Sequence, residues 1–246
     1  MNHKVKTIAL KTLKWTGIGI GSILLLMFLL PILFPGQIAT QVKAFANKKL
    51  TGELNFSKAR LSFFDHFPSL TVTLDDFSLK GSPPFQTDTL VAAEDIGFGI
   101  NLKSLIFDGE IAIDEIYVGN SDINVVVDES GRANYNVYVS DDSAPKDTVS
   151  NTSLRLDKIK ISHCNLRYND KSANIAVTAD DFNYLGKGDL NQAVFSLDSD
   201  IRIGNLDFAL DGQSYLIRKN LRAELETRIN TNALTFSLQR NDLRIN

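Results

Sequence analysis

The spacing of apolar positions changes twice along this chain. Residues Trp15 to Phe34 form an uncharged run with no polar face, preceded by Lys4, Lys6, Lys11 and Lys14 and stopped by Pro35-Gly36. As a helix, Gly17 to Phe34 would span roughly 27 Å, close to the hydrocarbon thickness of a bilayer. Such a backbone can satisfy its own hydrogen bonds in lipid only as a helix, so the pattern predicts a membrane-spanning anchor. The apolar run is longer than the core of a cleaved signal peptide, and the only nearby small-x-small triplet, Ala44-Phe45-Ala46, lies well past it. The lysines before the run place the amino terminus in the cytoplasm and the rest outside, which in a bacterium is the periplasm. Residues 37–50 then carry Ile38, Val42, Phe45 and Ala46 at helical spacing and read as a short amphipathic helix, either plugging the next domain or resting on a membrane.

From residue 54 the period becomes two. Leu70-Val72-Leu74, Ile96-Phe98-Ile100-Leu102, Ile123-Val125-Val127, Ile175-Val177 and Leu206-Phe208-Leu210 alternate with polar or small residues. Strict alternation over short runs predicts half-buried antiparallel strands. Turn chemistry separates them at Lys80 to Pro84, Asp108-Gly109, Glu129-Ser130-Gly131, Asn169-Asp170 and Asp211-Gly212. Residues 140–153 are polar and read as an exposed loop, and Ser104 to Phe107 as a turn. The expected organisation is a cytoplasmic tail (1–14), an anchor (15–35), an amphipathic helix (36–52) and a repeated β-hairpin periplasmic domain (53–246). The last alternating run continues to Asn246, which suggests that the domain is incomplete there.

A short signature recurs: Asp75-Asp76-Phe77, Glu94-Asp95-Ile96, Asp114-Glu115-Ile116, Asp157-Lys158-Ile159 and Asp180-Asp181-Phe182. In several copies two consecutive polar residues interrupt the alternation, which predicts a β-bulge or bend that keeps the apolar side chains on one face. A catalytic carboxylate pair would occur once, so its repetition argues for architecture. One short helix cannot cover a sheet of this size. The sheet must either fold onto a second one as a sandwich or curl into a groove filled by something other than protein, such as acyl chains. The candidate lining residues are Leu70, Val72, Leu74, Ile96, Phe98, Ile100, Ile123, Val125 and Val127. Thr71, on the opposite face, is expected to tolerate a lysine.

Composition adds mainly exclusions. The formal net charge is −3, and the first 16 residues hold four lysines and no acid, so the remainder is acidic. No basic-aromatic patch suggests nucleic acid. The single cysteine, Cys164, excludes a disulfide within the chain and reads as a buried structural thiol. His163 and Cys164 are adjacent, hence on opposite faces of a strand, and no spaced ligand set completes a metal site. His66 reads as part of a packed turn. No G-x-S-x-G elbow is present, so neither catalytic residues nor a cofactor are expected.

The segment Leu54 to Gly81 resembles the amino-terminal segment of AsmA-like envelope proteins. So do Asp88 to Ala93 with the following Ile96 to Leu105, and Ile116 to Tyr135 with its D-x-x-G-x-x-N pattern. The likeness runs from the anchor to about Tyr135 and more loosely to Asn246. It implies an inner-membrane anchor, a periplasmic body similar to the bridge-like lipid transfer proteins, and a β-groove carrying phospholipid acyl chains in envelope lipid transport or outer-membrane biogenesis. It implies no catalytic residues, and partners among envelope assembly proteins. Members are usually much longer than this chain. The rival expectation is a scaffold that holds an envelope assembly partner and binds no lipid.

Overall fold

A computed structural model describes residues 11–19, 21–22, 25, 39–40, 42–44, 50–62, 69–101, 103–108, 111–137, 152–189, 192–230, 233 and 235–246. Most of the anchor, His66 and the polar loop read at 140–153, up to residue 151, lie outside these. Residues 11–19 are helical. Among the described residues no helix is long and apolar enough to cross a membrane.

The body is mainly β, as the alternation predicts. Its strands are β1 (Leu54–Asn55), β2 (Lys58–Ser62), β3 (Leu70–Lys80), β4 (Thr89–Ile100), β5 (Ile111–Val127), β6 (Thr152–Asp170), β7 (Ile175–Lys187), β8 (Val194–Leu210), β9 (Gln213–Asn230) and β10 (Thr235–Ile245). A π-helical turn, Ser104–Asp108, precedes β5. All ten strands form one open sheet in the order β1-β3-β4-β5-β6-β7-β8-β9-β10, with β2 also on the outer edge of β3. No second sheet packs on it among the described residues, so the sandwich alternative does not hold there.

The expectation of a wholly antiparallel sheet needs correction. β5 and β6 pair in parallel, from Ile111 opposite Thr152 to Val127 opposite Asp170. The cause is the connection over 128–151, long enough to return the chain to the start of the preceding strand, as a parallel pair requires. The other neighbours are antiparallel. The β8–β9 hairpin turns on Asp211 (φ 51°) and Gly212 (φ 76°), the paired left-handed conformation that matches strand twist.

Regular alternation would send Leu74 and Phe77 to opposite faces. Both instead lie in one apolar cluster with Ala93 and Ile96. Asp76, between them, has a left-handed backbone with φ 51°. The same conformation recurs at Asn120 (42°), His163 (53°), Asp181 (50°) and Arg218 (48°). These residues align laterally. Asn120 and His163 fall between the flanking pairs Gly119–Ser162 and Ser121–Cys164. His163 Nδ1 lies 2.8 Å from Asp181 Oδ1. A crease therefore crosses the sheet and resets alternation in successive strands. Polar side chains pin it: Ser57 Oγ donates to Asp76 Oδ2 at 2.6 Å, Asn120 Nδ2 to Glu94 Oε2 at 2.5 Å, and the Arg218 amide to Asp207 Oδ1 at 2.8 Å. The signature thus predicts the bend at Asp75-Asp76 and Asp180-Asp181. In β5 and β6 the left-handed residue comes later, at Asn120 and His163, while Asp114 and Asp157 sit at register shifts of their own.

One end of the sheet is stapled by Asp128 to Val137. Asp128 Oδ1 accepts from the Ser130 and Arg132 amides, and Gly131 turns with φ 77°. Asn134 is wholly buried. Its side chain substitutes for a strand, accepting from the Val126 amide at 3.0 Å and donating to the Asn124 carbonyl at 2.7 Å. Its carbonyl accepts from the Ser82 amide, and Val137 accepts from Thr51, so three distant segments meet here.

Two outcomes are expected. Asn134→Ala, which strands the Val126 amide, should lower stability by about 1–3 kcal/mol in urea unfolding. Asn120→Val, which puts a branched side chain in the left-handed region, should cost about 1–3 kcal/mol, whereas Asn120→Gly should cost clearly less.

Candidate functional site

Because alternation resets at the crease, the apolar side chains share one face on both sides of it. The register connects Leu74, Ile96, Val118, Ile161, Tyr184, Ile201, Ala223 and Leu243, directly opposite one another on eight successive strands. Across the crease a second row runs through Leu79, Val91, Ile123, Leu166, Ala179 and Leu206. The rows cross the strands, so the apolar surface is a lane perpendicular to them.

All nine sequence-predicted lining residues lie on this face. Leu70, Val72, Leu74, Ile96, Phe98 and Ile100 sit on one side of the crease, opposite one another in pairs. Ile123, Val125 and Val127 sit on the other side. They are not equally open. Leu74 and Ile96 are 1% and 7% exposed because Phe56 and Ala59 cover them, with Ala39 and Val42 packed alongside. The described part of the amphipathic segment therefore plugs the β3–β4 end of the lane, and Lys43 Nζ stands 5.0 Å above the Phe56 ring. Leu70 and Val127 are also buried; the other five are half-buried. A second buried patch lies around Ala179, Ile203 and Leu206, and in β10 Phe236, Leu238, Leu243 and Ile245 are 43–76% exposed. The sequence candidates covered only β3 to β5. The lane on β6 to β9, around Ala179, Ile203 and Leu206, was missed because its apolar pairs are spaced three apart across the crease.

His163 and Cys164 part company as expected. Cys164 is wholly buried on the apolar face beside Ser121, and burial pushes its thiol up. His163 is exposed and serves the crease. Among the described residues no group of His, Cys, Asp or Glu could hold a metal ion.

The opposite face is polar but not uniformly open, which corrects the expectation for Thr71. It is 0% exposed. Gly97, lacking a side chain, lets Thr71 and Tyr117 close over it: a Cβ there would meet both at 3.4 Å. A lysine at Thr71 would bury an unpaired charge. Beside it, the Tyr117 hydroxyl donates to Glu115 and accepts from Lys158 Nζ at 3.2 Å, and burial holds the phenol well above its usual range. Asp114 is buried, with Oδ2 accepting from Asn101 Nδ2 at 3.3 Å and Oδ1 without a partner. Asn101 Oδ1 in turn accepts from the Lys103 and Ser104 amides, fixing the start of the π-helical turn.

Burial, followed by the Glu115 charge, pushes the Asp114 carboxyl up. A carboxyl raised in the folded state favours folding below its unfolded value, and that contribution is lost as pH rises through the folded one. Asp114→Asn, placing an amide beside Glu115, should therefore stabilise the protein at pH 7 by about 1–3 kcal/mol, with the gain shrinking towards pH 4 in pH-dependent thermal melts.

A model of the AsmA family matches residues 10–196. No curated protein matches the chain.

Proposed function

We propose a function on the premise that this chain belongs to the AsmA family, whose model covers most of its length. It is a membrane-anchored, non-enzymatic envelope protein that binds or conducts lipid acyl chains along the apolar face of its sheet. The carrying observation is the unbroken row from Leu74 to Leu243, with no protein layer over its β5–β10 portion among the described residues. Water against that surface is unfavourable, and each acyl CH₂ laid on it contributes about 0.8 kcal/mol. From β3 to β10 the lane measures roughly 34 Å at about 4.8 Å per strand, twice the depth of one leaflet. An acyl chain fits lengthwise, with its headgroup at the open side.

The amino-terminal helix supports an anchor. Its described part exposes Leu13 and Trp15, each 71%, beside Lys11 and Lys14, an arrangement suited to lipid rather than water. In this reading the amino terminus is cytoplasmic, the sheet is periplasmic, and the Phe56–Val42 plug closes the end of the groove. Transport of phospholipid for the outer membrane is the setting that the family suggests.

The test is lipid stoichiometry by mass spectrometry on detergent-extracted full chain, with melting measured on the same samples. Val125→Lys and Ile161→Lys, half-buried on the lane, should leave the sheet folded because the lysine can reach water, and should cut bound lipid at least twofold. Ser196→Lys on the polar face should change neither. Absence of lipid from the parent would leave a scaffold that binds none, and equal lipid in all four proteins would remove the lane as the binding surface.

A further inference from the structure

On the polar face a cavity of about 460 Å³ lies against β6 to β9. Its lining holds the cations Lys160, Arg202 and Arg222 and the acids Asp181 and Asp200, together with amide, hydroxyl and apolar residues. The register sets Asn183 opposite Arg202, Arg202 opposite Arg222, and Arg222 opposite Arg244. Like charges directly opposite on neighbouring strands repel. The two outer arginines are neutralised by acids two residues away on their own strands. Arg202 Nη2 lies 3.0 Å from Asp200, and Arg244 Nη2 lies 2.7 Å from Asp242. Glu224, the acid two residues from Arg222 on its own strand, makes no ion pair with it. Arg222 is left without a hydrogen bond or ion pair among the described residues. The cavity's other acid, Asp181, is engaged by His163 and Asn183.

We propose that this cavity binds a phosphate group. The middle arginine of a like-charged row, with Arg202 opposite it on the neighbouring strand and amide and hydroxyl residues lining the same concavity, is suited to a tetrahedral oxyanion. A guanidinium donates to two oxygens at once, and the anion removes the repulsion between Arg202 and Arg222. The site is on the opposite face from the acyl lane and does not depend on it.

The experiment is calorimetric titration of the detergent-solubilised full chain at fixed ionic strength, first with inorganic phosphate, then with glycerol 3-phosphate, which carries the phospholipid headgroup chemistry without tails. The parent should bind one phosphate per chain. Arg222→Gln should weaken binding at least about tenfold, Arg222→Lys less, and Arg167→Gln, exposed on β6 outside the cavity, not at all. Melting curves of the variants check that the sheet is intact. Tighter binding of glycerol 3-phosphate would assign the site to a lipid headgroup, and equal or weaker binding to soluble phosphate. No phosphate-dependent heat in the parent, or the same loss in Arg167→Gln as in Arg222→Gln, would overturn the proposal. Val125→Lys should leave phosphate binding unchanged, which separates this site from the lane.

Discussion

An open sheet can keep one apolar face over eight strands only if every strand agrees on which side is inward. In this protein the agreement is enforced by a row of residues in a sterically costly backbone conformation. A non-glycine residue in the left-handed region costs about 1–2 kcal/mol, and the chain accepts this at Asp76, Asn120, His163, Asp181 and Arg218. The hydrogen bonds from Ser57 to Asp76 and between His163 and Asp181 offset part of that cost. Without the reset, Phe77, Ala93 and Cys164 would turn outward, and the apolar surface would split into two half-width patches on opposite faces.

Much of this was legible in the sequence because alternation and doubled charges are local signals. The strands around Leu70, Ile96, Ile123 and Leu206, the Asp211-Gly212 hairpin and the bends at Asp75-Asp76 and Asp180-Asp181 all follow from neighbours within a few positions. What stayed hidden depends on partners far away. The parallel pairing of β5 with β6 is decided by the connection over 128–151, which carries no alternating pattern. Thr71 looks like any outward threonine until Gly97 and Tyr117 are seen to close around it. Asn134 reads as a loop residue, and only the free backbone groups of Asn124 and Val126 explain its burial. The extent of the lane was underestimated for the same reason: residues three apart share a face only where a crease intervenes.

The two faces solve different problems. On the apolar side, burial is deepest under the Phe56–Ala59 plug and again around Ala179, Ile203 and Leu206, and is lost at β10. On the polar side, tightly packed small residues near Gly97 and Gly99 give way to rows of like charges on β8 to β10. Acid and base rows lie side by side there, Asp200-Glu224-Asp242 next to Arg202-Arg222-Arg244, so this surface is strongly hydrated while its net charge stays small. That hydration prevents the outer surface from competing with the inner one for apolar partners.

From β3 onward, strand order in the sheet equals strand order in the chain. Each new strand therefore needs only its predecessor as a template, and apart from the β5–β6 joint the separations between paired residues are short. Ordering such a chain is a zipping process with a small loop-closure penalty at each step. A segment emerging gradually from its amino terminus can join the sheet as it appears, without waiting for later sequence. The architecture is in that sense extensible: lengthening the polypeptide by one more hairpin lengthens the lane by two strand widths and disturbs nothing already built.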